Sequence, residues 1–320
     1  MQHVNTGTTT SETRPLHELS STRIGWIGTG IMGGAMAGHL LAAGAPLKVH
    51  TRTRARAEAL LTAGAAWAAT PAEATRDVDV VCVNVSLPEE LDAVFFGPDG
   101  VSQALRSGQL VIDFGTSRPS DARRIAEAAL ARGAEALDAP VSGGDVGARN
   151  ATLSIMVGGN ANAFDRALPI FHRLGKTVVR LGESGAGQRT KIVNQMLVAT
   201  STIGMCEAVH FAQTAGLDTE KVLAAVGGGA AASWSIATLA PRVLRGDFEP
   251  GFSAQNLLKD LRIARDEAHE LGLALPVVEH CLRRYESLVA TGHGARGTQG
   301  LVLLLRAEQQ ASAGHAKSRG

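Results

Sequence analysis

Hydrophobic and polar positions follow two different patterns along the chain, and the change falls near residue 182. Before it, short apolar runs alternate with Ala-rich stretches of helical periodicity. This alternation is typical of a mostly parallel sheet covered by helices on both faces. The apolar runs that predict strands lie at residues 24–27, 47–49, 78–84, 110–113, 136–139, 153–157 and 177–181.

After residue 182 the periodicity is helical, and no further strand is predicted. Helices are expected at residues 188–215, 219–226, 233–244, 257–271, 276–291 and 298–308. The pattern therefore predicts an α/β fold, with a doubly wound sheet domain at 21–182 and an all-helical domain at 183–306. A ligand is expected in a cleft between the two. The polar ends, residues 1–20 and 307–320, are expected to be loose tails because they hold too few apolar residues to order themselves.

Composition and charge narrow the possible functions. The 320 residues are 45% hydrophobic and 19% charged with a net charge of +1, which indicates a soluble globular protein without a basic surface for nucleic acid. No run of eighteen apolar residues suggests a membrane span. The cysteines at positions 82, 206 and 281 are far apart and lack metal-ligand spacing, so they predict reduced thiols, a cytoplasmic protein and no metal site.

A glycine-rich segment with Gly28, Gly30 and Gly33 at G-x-G-x-x-G spacing follows the first predicted strand directly and opens a predicted helix. In that context its spacing is the dinucleotide-binding fingerprint of a Rossmann domain, because missing side chains let a pyrophosphate approach the backbone N–H groups of the helix N-terminus. The alternative is a glycine-rich turn without a ligand. A second match at Gly292, Gly294 and Gly297 follows helical residues and is predicted to be a loop. The predicted binding residues are Gly28, Thr29, Gly30, Ile31, Met32 and Gly33.

The residues after the second predicted strand read the adenosine ribose in this fold. Here they are Thr51, Arg52 and Thr53, and no carboxylate occurs before Glu58. A basic residue without a neighbouring acid favours the 2′-phosphate of NADP, with NAD still possible. The alternative is that the arginines of this segment are simply solvated.

Polar residues at helical spacing follow the change in pattern. Lys191, Asn194 and Gln195 fall on one face of a predicted helix that begins after Gly185 and Gly187. A lysine beside two amides can hold a carbonyl oxygen and deliver a proton to it, as hydride-transfer chemistry requires. The alternative is a solvated surface lysine.

Three further segments carry polar groups at strand ends or on a helix. The run from Asp138 offers the Ser142 hydroxyl and the backbone N–H groups of Gly143 and Gly144, which suit a substrate carboxylate, although an ordinary turn would have the same composition. Thr116 ends another strand on the side where such sheets bind ligands. Lys259 lies beside Asp260 in a helical stretch, where alone it would be a surface residue.

The joint order of these segments, over residues 22–306, resembles the β-hydroxyacid dehydrogenases, which include 3-hydroxyisobutyrate dehydrogenase and tartronate semialdehyde reductase and share a 6-phosphogluconate dehydrogenase-like architecture. The resemblance implies an oxidoreductase that interconverts a small 3-hydroxy acid and its semialdehyde or 3-oxo acid, and it implies a homodimer or homotetramer. It implies Lys191 as general acid and base, and Asn194 or Gln195 as substrate support. It also implies substrate-carboxylate binding by Ser142, Gly143 and Gly144, and contacts to the nicotinamide ribose from Thr116 and Lys259.

Two departures from the family pattern bear on substrate and affinity. Gln195 stands where many members have Asn, and Gly115 stands where a Ser usually precedes Thr116. The sequence leaves two alternative functions open. One is an imine reductase of the same architecture, and the other is a nucleotide-binding module without catalysis.

Overall fold

The computed structural model describes residues 18–317, which form two compact units. Unit 1 comprises the described residues up to Gly115, Pro119–Val141 and Gly147–Gln188. Unit 2 comprises Thr116–Arg118, Ser142–Val146 and the described residues from Arg189 onward. Two short segments of the predicted sheet domain therefore belong with the helical unit by their contacts, which their position in the sequence did not predict.

The described residues form one nine-stranded sheet of order β3-β2-β1-β4-β5-β6-β8-β7, with β9 paired to β8, and all of it except Ser142 belongs to unit 1. The pairs from β3 to β6 are parallel, while β8 runs antiparallel to β6 and parallel to β9. The predicted strands all form. Two two-residue strands are additional, since runs so short carry no readable periodicity. The strands are β1 Ile24–Ile27, β2 Leu47–His50, β3 Ala66–Trp67, β4 Val80–Val83, β5 Leu110–Asp113, β6 Glu135–Asp138, β7 Val141–Ser142, β8 Leu153–Gly159 and β9 Gly175–Gly182.

Alternate residues of the central strands point to two different apolar clusters, which is why these strands are apolar on both faces. Trp26, Cys82 and Ile112 belong to one cluster, and Val81 and Val111 belong to the other. Such double burial is typical of a parallel sheet between two helical layers. The helices are α1 Ile31–Ala42, α2 Glu58–Thr62, α3 Pro71–Thr75, α4 Pro88–Phe96, α5 Val101–Ala104, α6 Pro119–Leu130, α7 Gly144–Arg149 and α8 Ala161–Leu174.

Unit 2 has a helical core of its own, built largely from α9, α12, α13 and α14. Its buried residues include Ile203, Leu257, Leu261, Leu282 and Leu301. Its helices are α9 Ala186–Thr214, α10 Thr219–Val226, α11 Ala240–Leu244, α12 Ala254–Glu270, α13 Pro276–Leu288 and α14 Leu301–Lys317, with π-helical turns at Ser235–Leu239 and Val289–His293.

The C-terminal end of the chain, expected to be a loose tail at 307–320, is helical as far as Lys317. Helix α14 extends to Lys317, past the predicted end at Glu308, because Ala, Glu and Gln continue a helix without apolar periodicity. Of the predicted N-terminal tail, residues 1–17 lie outside the described residues, and Leu19–Ser21 forms a 3₁₀ turn.

Helix α9 has the length and hydropathy of a membrane span, with 44% of the relevant window buried. This single helix is weak evidence for a span, since core helices meet the same criteria.

Candidate functional site

The Gly-rich loop joins β1 to α1 at the point where the strand order reverses between β1 and β4, which is where such sheets bind ligands. Gly28 has a φ of 95°, and a Cβ there would collide with the carbonyl oxygen of Asn84. A Cβ on Gly33 would collide with the carbonyl oxygen of Gly28. A Cβ on Gly30, in contrast, would meet no atom within 4 Å. Two of the glycines are therefore required by the fold, and Gly30 leaves open space beside the loop.

The start of α1 has the properties of an anion site. Gly30 is the N-cap residue and offers no side chain to cap the helix, and the first turn contains no acidic residue. The hydroxyl of Thr29 is buried, the residue being 4% exposed, and its Oγ1 has no hydrogen-bond partner within the described residues. The uncapped N-terminus of α1, the helix dipole and the buried Thr29 hydroxyl together fit the pyrophosphate of a dinucleotide.

The predicted ribose-reading segment follows β2. The Arg52 side chain is 83% exposed, and its Nη1 lies 3.2 Å from Oε1 of Glu90. The Arg54 guanidinium packs over the Trp67 ring, 5.2 Å from its centroid. Glu90 was missed at the sequence level because it is 38 residues from Arg52. Its position after β4 was the available signal, because β4 and β2 both lie beside β1 in the sheet.

The predicted catalytic lysine is buried in unit 2. Lys191 is 7% exposed, and burial lowers the pKa of its amine to about 8. The nearby carboxylate of Asp260 opposes this shift, and the positive charge of Lys259 adds to it. A buried amine with this pKa is partly neutral at slightly alkaline pH, so it can both accept and donate a proton.

Asp260 connects the other polar residues of this cluster. Its Oδ2 accepts a hydrogen bond of 2.5 Å from Nε2 of Gln195, and its Oδ1 lies 2.7 Å from Nζ of Lys259. Lys259 also donates to the carbonyl oxygen of Thr116 at 2.9 Å, and Asn194 donates to Oε1 of Gln195 at 2.6 Å. The amide of Gln195 is therefore hydrogen-bonded through both its oxygen and its nitrogen, to Asn194 and to Asp260. The sequence indicated Lys259, Asn194 and Gln195, but not that a buried aspartate joins them.

The predicted carboxylate-binding loop also groups with unit 2. Gly143 and Gly144 have φ values of 134° and 63°, a region of backbone space that favours glycine. Ser142 ends β7, and Gly144 begins α7. The structure thus brings Thr116 and residues 142–144 into the same compact unit as Lys191 and Lys259.

Asp138 determines how α9 begins. Its Oδ1 accepts the N–H of Gly185 and its Oδ2 accepts the N–H of Gln188, both at 2.8 Å. Burial raises the pKa of this carboxyl group, and the backbone hydrogen bonds lower it. A Cβ on Gly187 would lie 2.8 Å from Asp138 Oδ2, so glycine is needed there. The Asp138 motif and the Gly-x-Gly motif before Lys191 are therefore two halves of one helix cap.

Gly115, a departure from the family pattern, has a steric explanation. A Cβ there would lie 2.9 Å from the carbonyl oxygen of Val85 and 3.0 Å from Oδ1 of Asp113. Its N–H donates to Asp113 Oδ1 at 2.9 Å, and its carbonyl accepts from Nε2 of Gln188 at 2.9 Å. A serine would fit at this position only if these neighbours moved.

Both halves of the chain match known protein families. Residues 23–182 match the NAD binding domain of 6-phosphogluconate dehydrogenase, and residues 185–305 match the family described as NAD-binding of NADP-dependent 3-hydroxyisobutyrate dehydrogenase. These matches agree with the predicted order of a dinucleotide-binding domain followed by a helical domain.

Similar whole chains are found among curated proteins. The uncharacterized oxidoreductase YkwC of Bacillus subtilis is 44% identical over 88% of this chain and 98% of its own length. The probable 3-hydroxyisobutyrate dehydrogenase-like 1 of Arabidopsis thaliana is 43% identical, over 89% of this chain and 86% of its own. The 2-hydroxy-3-oxopropionate reductase of Escherichia coli is 36% identical, over 88% and 97%.

Solved structures show the same relationship. The 3-hydroxyisobutyrate dehydrogenase of Mycobacterium tuberculosis, solved with L-serine, has a TM-score of 0.81 and 30% identity over 89% of this chain and 99% of its own. Psf3, solved with NADP⁺ and 2-OPP, has a TM-score of 0.82 and 27% identity over 88% and 99%. Matched through both domains and over nearly its whole described length, the chain belongs to the β-hydroxyacid dehydrogenase family of NAD(P)-dependent oxidoreductases.

Proposed function

We propose that the protein interconverts a small 3-hydroxy acid and its semialdehyde or 3-oxo acid, with NADP as the preferred cofactor and NAD as an alternative. The observation that carries the proposal is the buried amine of Lys191, whose pKa is lowered to about 8. The names of the Arabidopsis and Escherichia coli relatives support hydroxy-acid chemistry, and the NADP⁺ bound to Psf3 supports the cofactor.

The cofactor, when bound, supplies the acceptor or donor of a hydride at its nicotinamide ring. Its pyrophosphate is assigned to Gly28, Thr29 and Gly30 at the start of α1, and Arg52 is assigned to the 2′-phosphate. Ile31, Met32 and Gly33 continue that site, and Thr51 and Thr53 flank the arginine. Thr116 and Lys259 are assigned to the nicotinamide ribose.

The proton is handled by Lys191. In the oxidation direction its neutral amine takes the hydroxyl proton while the carbon bearing that hydroxyl loses a hydride. In the reduction direction its ammonium returns the proton to the new alkoxide oxygen. The Asp260 carboxylate raises the pKa of Lys191 and so limits the lowering caused by burial. Both protonation states of the lysine are therefore available near pH 8.

The substrate carboxylate is assigned to the hydroxyl of Ser142 and to the backbone N–H groups of Gly143 and Gly144, whose positive φ angles favour glycine. Asn194 and Gln195 are assigned to support the substrate. Since Gln195 is hydrogen-bonded to both Asn194 and Asp260, it supports the substrate indirectly, by orienting these neighbours.

The test is a Lys191→Ala variant, with turnover followed at 340 nm and NADPH binding measured separately. We expect turnover to fall by about 10²- to 10⁴-fold while NADPH affinity is retained. Lys221→Ala removes an exposed lysine that pairs with Asp218 and is the matched control. Unchanged turnover in Lys191→Ala would contradict the assignment.

Substrate identity is tested with glycerate, 3-hydroxyisobutyrate, 3-hydroxypropionate, 4-hydroxybutyrate, threonate and L-serine, each with NADP and NAD. We expect turnover on at least one 3-hydroxy acid, and faster turnover with NADP. No turnover across the panel, in a protein that still binds NADPH, would favour a nucleotide-binding module or an imine substrate instead.

We further propose that the protein is a homodimer or homotetramer. One face of α9 supports this, because Val193, Leu197 and Phe211 are exposed at helical spacing, Leu197 by 68% and Phe211 by 71%. The test is the mass in solution by light scattering. A Leu197→Glu variant is expected to dissociate, and Leu130→Glu, at an exposed position in α6, is the control. A wild-type monomer would contradict the proposal.

A further inference from the structure

Arg52 is not alone at the end of β2. Its guanidinium Nη1 lies 3.2 Å from Oε1 of Glu90, in the first turn of α4. Strands β2 and β4, which precede these two residues, flank β1 on opposite sides. A carboxylate therefore stands beside the one cation assigned to the 2′-phosphate.

The glutamate is held more firmly than the arginine. Oε2 of Glu90 accepts the backbone N–H groups of Ser86 at 3.2 Å and Leu87 at 3.3 Å, an arrangement that caps α4. The Arg52 side chain is almost fully exposed. If Arg52 turns toward a ligand, the carboxylate of Glu90 therefore remains where the backbone holds it.

A 2′-phosphate and a 2′-hydroxyl respond differently to this carboxylate. An exposed ion pair contributes little, so Arg52 can leave Glu90 at small cost. The larger effect is repulsion, because the phosphate carries up to two negative charges and the fixed carboxylate of Glu90 lies within reach of the Arg52 side chain that would bind it. The 2′-hydroxyl of NAD is neutral and meets no such repulsion.

We propose that Glu90 is a cofactor-specificity-determining residue, which weakens the binding of NADP(H) relative to NAD(H) by competing for Arg52 and by repelling the 2′-phosphate. This inference rests on the proposed use of Arg52 for NADP. It makes the preference for NADP smaller than Arg52 alone would produce, which favours acceptance of both nucleotides by one site.

The experiment measures Kd for NADPH and NADH by nucleotide fluorescence, without substrate, in the full chain. Glu90→Gln removes the charge and retains an amide oxygen to accept the Ser86 and Leu87 N–H groups. We expect it to bind NADPH about 3- to 10-fold more tightly and NADH unchanged within about twofold. About 0.5 M salt is expected to reduce the difference between the variant and the wild type.

Two further variants separate the possible failures. Glu58→Gln removes a carboxylate from the start of α2, nearby in the sequence, and is expected to change the NADPH to NADH ratio much less. An equal effect of Glu58→Gln, or an unchanged ratio in Glu90→Gln, would overturn the role of Glu90. Arg52→Gln is expected to weaken NADPH at least tenfold. If it does not, or if the wild type binds neither nucleotide, the proposed use of Arg52 itself fails.

Discussion

In the Gly-rich loop of unit 1 the groups available to a ligand are backbone N–H groups and the Thr29 hydroxyl, whereas in the Lys191 cluster of unit 2 they are mainly charged side chains. The loop depends on where side chains are absent, and Gly28 and Gly33 are required by contacts with the backbone itself. The cluster depends on which charges are buried together, and Asp260 joins its neighbour Lys259 to Gln195, which lies 65 residues from Asp260 in the sequence. A backbone site is therefore sensitive to added atoms, and a charged cluster to removed or neutralised charges.

Adding a methyl group to the loop gives the largest expected effect. Gly33→Ala places a Cβ against the Gly28 carbonyl oxygen, and we expect it to lower the free energy of unfolding by about 3 kcal/mol or more. Gly30→Ala is the matched variant. Its Cβ meets open space, so stability is expected to change by less than about 1 kcal/mol.

The two glycine variants are compared by urea unfolding and by NADPH titration. Since the space beside Gly30 is assigned to the pyrophosphate, Gly30→Ala is expected to bind NADPH at least about tenfold more weakly despite its intact fold. Equal stability losses in the two variants would contradict the distinct roles of the glycines.

Removing the buried charge of Lys191 is expected to stabilise the protein. The pKa of Lys191 is about 8 when folded and 10.5 in its ordinary environment, so burial of the ammonium opposes folding below pH 8. We expect Lys191→Met to raise the free energy of unfolding by about 1–3 kcal/mol at pH 7. The gain is expected to shrink as the pH rises from 8 towards 10.5, because the wild-type folded state releases its proton first.

Denaturant unfolding at pH 7 and at higher pH measures whether Lys191→Met raises the free energy of unfolding as expected. Lys259→Met is the contrasting variant, because it leaves the buried carboxylate of Asp260 without its ion pair and is expected to destabilise the protein. A loss of stability in Lys191→Met at pH 7 would mean that the lysine's contacts outweigh the desolvation of its charge.

The smallest expected effect is a change in pH dependence. The Asp260 carboxylate raises the pKa of Lys191, so Asp260→Asn is expected to lower that pKa further. The rise of kcat/KM for oxidation with pH then moves to lower pH. Glu270→Gln removes an exposed charge of the same helix and is the control. An unmoved profile would indicate that another group controls the rate.

The elements most accurately predicted were those with local signals. All seven predicted strands and the predicted helices of the second half form, because their apolar periodicity reports burial residue by residue. The end of α14 was predicted too early, and β3 and β7 were missed, because propensity and very short pairings leave no periodic pattern. The assignment of Thr116–Arg118 and Ser142–Val146 to unit 2 was not predictable, since contacts and not chain order decide it.

The glycine spacing after β1, the alternation of strands and helices and the order of motifs were readable in the chain alone, because each is encoded by neighbouring residues. The folded structure added the partner of Arg52, the aspartate that joins Lys259 to Gln195, and the cap that Asp138 places on α9. It also decided the pKa of Lys191, because a pKa depends on burial and on charges that are close in space and distant in sequence.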